Sequence, residues 1–416
     1  MKYNIWTNCP QVPMTSLLSF IVDNRGKTVP TTDSGHILIA TNCVNNKTLY
    51  PIYDKVRYLS EETYQKWFRA HPISGDILFV NKGTPGRVCM VPDPVDFCIA
   101  QDMISLRADS EKIYNKYLFA ILRSTRIQQQ IYNTYVGDVI PHFKKQFLNQ
   151  LLIPVPERKI QEAIGDFYFD LSYKIELNNK INANLEAQAQ AIFKSWFVDF
   201  EPFQDGEFVD SELGPIPKGW KVGNVSDFVL EMKNGGTPNR KNMNYWDIKD
   251  YPWIKTGEIL NQPLITCEEY ISKSGLDNSS AKLLPIDSVL IALYGATAAK
   301  VALLKFEAAT NQACCAMICR SPNSSIYLYL NLMERQEYIK SLAVGSAQQN
   351  LSKEIIARLP ILLPDPEVIE TLPFDVIYKA IEINIKQSHT IAALRDTLLP
   401  KLMSGEIEVL KEVSKP

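Results

Sequence analysis

GDILFVNKGTPGRVCMV (75–91) and DSVLIALYGATAAKVALL (287–304) are two versions of one pattern. Each runs from an acid through an apolar strand to a glycine turn and a second strand. Working outward, Ala100-Gln101 matches Asn311-Gln312, and Val136-Gly137 matches Val344-Gly345. LLIPVP (151–156) matches LPILLP (359–364), and IELN (175–178) matches IEIN (381–384). The offset drifts only from 212 to 206, so the matches belong to one long duplication. A period this large is a whole domain plus a helix, not a solenoid repeat.

Each copy divides the same way. A block of roughly 150 residues carries short apolar strands, turn residues and a few helices, the pattern of a mixed α+β domain. Strands are expected at His36–Ala40, Ile77–Val80 and Val289–Leu293, and helices at Ile113–Arg123 and Ile326–Ala343. Prolines at 154 and 156, and at 364 and 366, mark the end of each block. A long helix follows. The expected fold class is α+β: two duplicated globular α/β domains separated by two long helices that pair as an antiparallel coiled coil. The boundaries fall at 1–156 (first domain), 157–203 (central helix), 204–217 (linker), 218–364 (second domain) and 365–416 (C-terminal helix and tail).

The first helix, Ile160 to Phe197, would be about 55 Å long at ~1.5 Å per residue. Steps of four and three trace a seam through Ile160, Ile164, Phe167, Leu171, Lys174, Asn178, Ile181, Leu185, Gln188 and Ile192. The second carries Ile377, Ala380, Asn384, Gln387, Ile391, Leu394 and Leu398, with Pro373 kinking or restarting its first turns. Neither stripe is complete alone, so the helices are expected to pack on each other. An approximate two-fold axis would then bring Asn178 and Asn384, both near helix midpoints, close together. A buried amide needs a partner, and a facing pair would fix the helix register.

The chain of 416 residues is long enough for two or three domains, and 46% hydrophobic residues suffice for packed cores. Eight cysteines without a CxxC pair suggest reduced thiols and a cytoplasmic protein. The N-terminus MKYNIWTNCPQV lacks a signal-peptide pattern. Ser288–Leu304 contains Gly295 and Lys300 and reads as two buried strands, not a membrane span. The net charge of −2 conceals an alternation: residues 1–156 carry +5, residues 218–360 carry +3, and the rest −10. Two basic blocks alternating with acidic ones suit two phosphate-facing surfaces.

No catalytic constellation emerges. GKT (26–28) resembles a phosphate loop, but Ile21 stands where its first glycine belongs. No G-x-G occurs, so a dinucleotide fingerprint is absent. The two Asp-Pro pairs (93–94, 365–366) lack the second proline and aromatic residue of an amino-methyltransferase loop. His36, His71, His142 and His389 are scattered, and ACCAMIC (313–319) alternates like a core strand, so no metal site is expected.

The order of these blocks resembles the specificity subunit of type I restriction-modification systems. The resemblance rests on residues 153–203, GPIPKGWKVGNVSDF (214–228), GGTPNR (235–240), VLIALYGATAAKVALL (289–304), NQACCAMI (311–318), GSAQQNLSKEIIARLPILLP (345–364) and LRDTLLPKLMSGEI (394–407). It spans essentially the whole chain, although GDVIPHFKK (137–145) stands where the second copy has GSAQQNLSK. It implies that each globular domain is a target recognition domain reading one half of a split site in double-stranded DNA. The helices would space these domains and dock two methyltransferase (M) subunits, with restriction (R) subunits in the full complex. The chain itself would be non-catalytic and bind no cofactor. In the second domain Thr237, Asn239, Arg240, Tyr294, Gln348, Gln349 and Asn350 are the candidate base contacts, because Asn and Gln match adenine and Arg matches guanine. In the first domain the candidates are Lys82, Arg87, His142, Lys144 and Lys145. Two other readings stay open: a self-sufficient DNA-binding regulator, and a single-chain methyltransferase or nuclease.

Overall fold

The structure, a computed structural model, describes residues 3–24, 26, 28–137, 140–343 and 350–408. Gln348 and Gln349 therefore lie outside the described residues, as do Val344 and Gly345 of the repeat. The chain forms two compact units: residues 1–179 with 387–416, and residues 180–386.

In the first unit a four-stranded sheet has the order Leu18–Val22, Met103–Ala108, Ile77–Val80, Val88–Met90. In the second, the order Glu231–Asn234, Cys314–Ile318, Val289–Ala292, Val301–Leu304 repeats it, and Gln262–Leu264 adds a parallel edge strand. Each unit has a three-stranded sheet with one antiparallel and one parallel pair. It is Arg57–Leu59, His36–Ile39, Phe97–Ile99 in the first and Glu269–Ile271, Tyr251–Ile254, Ala309–Thr310 in the second. A two-stranded ribbon completes each: Gln11–Pro13 with Leu152–Pro154, and Lys221–Asn224 with Pro360–Leu363.

The sequence hides the usual strand alternation because the central strands are buried on both faces. Ile77 and Phe79 enter one core, with Tyr117, Phe119 and Ile121, whereas Leu78 and Val80 enter another with Ile39, Cys43 and Phe97. Val289 and Ile291 likewise join Tyr327 and Leu330, while Leu290 and Ala292 face Ile254 and Leu304. Cys314 and Ala316 divide from Cys315 and Met317 in the same way. Cys314 and Cys315 are buried core residues and Cys319 packs partly buried against the core of Cys315, and burial pushes the thiols of Cys315 and Cys319 up to about 12 and that of Cys314 further. Among the described residues no helix is long and apolar enough to cross a membrane.

The first long helix is Arg158–Phe197 and the second Phe374–Met403. A short helix, Pro366–Glu370, precedes the second, which starts immediately after Pro373, a position where proline's missing N–H costs no intrahelical hydrogen bond. The expected helix Ile326–Ala343 is instead two, Pro322–Glu334 and Gln336–Ser341, broken at Arg335. The heptad seam needs correcting. Ile181 is 44% exposed and Leu394 46% exposed, and Lys174 and Gln188 also face solvent. The buried stripe of the first helix runs through Ile164, Tyr168, Ser172, Asn178, Asn182, Ala189, Phe193 and Phe197. That of the second uses Ile377, Ile381, Ser388, Arg395, Leu399 and Met403.

Polar groups occupy these stripes because they pair. In the first unit Arg395 Nη1 donates to Ser172 Oγ (3.1 Å), and Asn178 Nδ2 donates to Gln387 Oε1 (2.9 Å) and Ser388 Oγ (3.0 Å). In the second unit Asn384 Nδ2 donates to Asn182 Oδ1 (2.8 Å). Within the first unit the paired numbers rise on one helix as they fall on the other, which is antiparallel packing.

Candidate nucleic-acid interface

One backbone frame recurs in both units, at the C-terminal end of the central strand. In the first, Asn81 N donates to Asp102 O (2.8 Å) and Asn81 O accepts from Phe143 N (2.7 Å). In the second, Leu293 N donates to Ala313 O (2.8 Å) and Leu293 O accepts from Leu351 N (2.9 Å). The frame fixes which side chains correspond. Lys82 and Tyr294 immediately follow the framed residues Asn81 and Leu293, and His142 and Asn350 precede the paired residues Phe143 and Leu351. Gln101 and Gln312 precede Asp102 and Ala313.

In the first unit these residues line a groove of about 560 Å³ bordered by Asp23, Gly26, Thr28, Asn81, Lys82, Gln101, Asp102 and His142. Lys82 and His142 form an isolated antiparallel bridge. Lys82 Nζ lies 3.9 Å from Asp102 Oδ1, and Lys145 Nζ lies 3.3 Å from Asp23 Oδ2. Lys144 is exposed at the start of the turn Lys145–Gln150. Arg87 stands outside the groove, at the far end of the hairpin loop, its carbonyl accepting from Val80 N (2.9 Å). The hairpin reverses through Gly83 and Gly86, both at positive φ (82° and 87°), which glycine adopts without steric cost.

In the second unit the candidates form two groups. Tyr294, 37% exposed, and Asn350 come together through the Leu293–Leu351 bond. Thr237 joins them across the sheet end, its hydroxyl donating to Gln312 Oε1. Gly235 and Gly236 allow this close approach: a Cβ on Gly235 would lie 2.1 Å from Asn311 O, and one on Gly236 2.2 Å from Ser280 Oγ. Asn239 and Arg240 belong to the second group, beside the three-stranded sheet. Asn239 Oδ1 accepts from Lys241 N (3.0 Å). The Arg240 guanidinium lies 3.7 Å from the ring centre of Trp246 and 4.8 Å from that of Trp253, and it donates to Glu269 Oε2 (2.5 Å). Lys255 Nζ completes the cluster, 2.9 Å from Glu268 and 3.0 Å from Glu269. Burial raises the Glu269 carboxyl, but hydrogen bonds from Arg240 and Lys255 outweigh it and hold the group below the usual carboxylate range. Trp253 Nε1 donates to Gly236 O (2.9 Å), linking this cluster to the Thr237 loop.

The sequence reading used Gln101 and Gln312 only to align the repeat. Their place beside the other candidates comes from long-range pairing. Thr28 stands out in the sequence only within the incomplete phosphate-loop pattern GKT (26–28), and no local pattern marks Trp246 or Trp253. Among the described residues no group of three His, Cys, Asp or Glu side chains could hold a metal ion.

Two copies of one α/β domain, each gathering polar side chains at the end of its central sheet, define a class: a duplicated α/β protein with a candidate binding edge in each copy. Comparison with known proteins makes that class specific. Residues 29–187 and 217–388 each match the family described as Type I restriction modification DNA specificity domain, and the chain belongs to that family. It is 27% identical over 402 residues to the type I restriction enzyme HindI specificity subunit of Haemophilus influenzae, covering 80% of this chain and 86% of the relative. It is 25% identical over 342 residues to the MjaIX specificity subunit of Methanocaldococcus jannaschii, covering 80% and 78%. The crystal structure of the type I restriction-modification S subunit from M. genitalium shares the fold, with a TM-score of 0.60 at 14% identity over 96% of this chain and 98% of that one.

Proposed function

We propose that this chain is the non-catalytic recognition subunit of a type I restriction-modification enzyme in the cytoplasm. Each unit reads one half of a bipartite site in double-stranded DNA. The long helices dock two methyltransferase subunits, and restriction subunits join the full complex. The observation supporting this reading is the recurrence of the same backbone frame, carrying polar side chains, at the same place in two family domains.

The physical division of labour is clear. Side chains at sheet ends and loops reach base edges, whereas lysines hold phosphates. Lys144 and Lys145 flank the first groove and suit the second role. Lys82, Arg87 and His142 in the first unit, and Thr237, Asn239, Arg240, Tyr294, Gln348, Gln349 and Asn350 in the second, are the candidates for base contact. Asn178 and Asn384 hold the helix register.

The test is co-expression with a type I methyltransferase subunit. Co-purification and methylation of one split motif are expected, with no methyl transfer or cleavage by the chain alone. Tight site-specific binding without any partner would favour a self-sufficient regulator. Methyl transfer by the purified chain would overturn the non-catalytic reading.

A further inference from the structure

The first unit holds another cavity, of about 350 Å³, that shares no lining residue with the groove at the sheet end. It lies where the helix Asn115–Arg123 breaks at Ser124 and restarts as Thr125–Thr134, beside the C-terminal part of the second long helix. Its charged lining is Arg123, Arg126, Arg395 and Asp396, so guanidiniums outnumber carboxylates. Asp396 is exposed and lies 2.8 Å from Arg395 Nε. Arg395 itself is 4% exposed, and its Nη1 donates to Ser172 Oγ. Arg123 donates through Nη2 to the carbonyls of Asn45, Thr48 and Val88. Its Nε and Nη1 are buried. The Tyr168 side chain faces this guanidinium, yet among the described residues neither nitrogen has an acceptor in bonding geometry.

The corresponding place in the second unit is apolar. Tyr117 and Tyr327 are equivalent, because each hydroxyl donates to a carbonyl of the two-stranded ribbon: Pro154 O at 2.8 Å and Leu362 O at 2.7 Å. Counting equally along the helix from these tyrosines, Arg123 is matched by Met333, which packs against the core. The offset of 206 between IELN and IEIN matches Tyr168 with Phe374 and Arg395 with Ala189, both fully buried. Leu399 and Met403 keep apolar counterparts in Phe193 and Phe197. The fold therefore closes here on apolar side chains alone, and the charge belongs to the first unit only. Guanidiniums withdrawn from water cost free energy unless an anion meets them.

The helix start adds to this field. The first N–H groups of Thr125–Thr134 have no intrahelical acceptor, and Thr125 and Arg126 line the cavity. Arginine forks and a helix N-terminus together suit a phosphate group, whose oxygens accept from several donors at once. We propose that this cavity binds a small phosphate anion, held by Arg123, Arg126 and Arg395 at the first turn of the helix. Trp6, Leu399 and Met403 form an apolar wall beside it. A volume of about 350 Å³ lies at the lower end of the roughly 300–1,000 Å³ of small-molecule sites, so a compact phosphate ester fits as well as the free ion.

The experiment is calorimetric titration of the full chain with inorganic phosphate, adenosine monophosphate and chloride at one ionic strength. Saturable binding of phosphate is expected, and none of chloride. Tighter binding of adenosine monophosphate than of phosphate assigns the site to an ester, and equal or weaker binding assigns it to the free ion. Arg126→Gln removes an exposed guanidinium and should weaken binding about tenfold or more. Arg123→Met with Arg395→Ala installs the second unit's residues and should abolish binding. If that double variant fails to fold, Arg126→Gln alone decides the matter. Lys144→Gln, beside the groove, should leave phosphate binding unchanged. No saturable binding at millimolar phosphate overturns the proposal. So does binding undiminished in Arg126→Gln, or phosphate lost equally in Lys144→Gln or displaced by duplex DNA, since each of these places the anion elsewhere on the chain.

Discussion

Asn178 is fully buried, and its amide donates to Gln387 Oε1 at 2.9 Å and Ser388 Oγ at 3.0 Å. Asn178→Ala removes both hydrogen bonds from the pairing of the helices within the first unit. At roughly 0.5–1.5 kcal/mol net for each bond, the loss is about 1–3 kcal/mol. Gln387 is exposed and can rehydrate, whereas Ser388 is 8% exposed and retains an ill-satisfied hydroxyl, which favours the upper part of that range. For a cooperative unit of this size, each kcal/mol lowers the melting temperature by about 2–4 °C. The variant should therefore melt about 2–12 °C below wild type by calorimetry. Asn179→Ala, at the exposed neighbouring position, should fall within about a degree. Asn178→Leu with Asn384→Leu should recover much of the stability through apolar contact but loosen register, read as methylation of sites with more than one gap length. Equal melting temperatures for Asn178→Ala and Asn179→Ala would refute the polar-layer argument. A double leucine variant with an unchanged, single gap would refute the register role of the pair.

Neutralising Lys144 should weaken binding to all DNA sequences alike and reduce the slope of log K against log salt by about 0.9, whereas Lys145, already 3.3 Å from Asp23, should contribute less; a loss confined to the cognate site would exclude phosphate contact. Replacing residues 218–360 by the matching region of a relative should change one half of the recognised motif, and a change in both halves would refute modularity. The Glu269 carboxyl lies below its unfolded value, so its contribution to stability is present above about pH 4.3 and is lost as pH falls through the folded value. Acid titration should therefore release Arg240 from Glu269 and change tryptophan fluorescence, and Glu269→Gln should remove that step. A transition unaltered by Glu269→Gln would assign it to another group.

The duplication, the doubly buried strands and the existence of two long helices were legible in the sequence because each is written in local apolar pattern. Ile77–Val80 emerged with the expected limits, and the first helix began two residues before Ile160. The helix faces were not legible. A heptad count puts Ile181 on the seam and leaves Ser172 off it, yet Ile181 is 44% exposed and Ser172 is 1% exposed. Hydrophobicity predicts which residues avoid water, but burying a serine or asparagine costs little when a partner on another helix completes its hydrogen bonds. The same reason separates the candidate site into readable and unreadable parts. Lysines, arginines and amides near a glycine turn announce themselves by residue type. That Gln101 meets Thr28, that Gln312 meets Thr237, and that Arg240 is stacked on Trp246 and tied to Glu269 depend on approaches between distant segments. Residue type and spacing determined the two-copy plan, and only tertiary packing decided which polar groups are held rigidly enough to serve it.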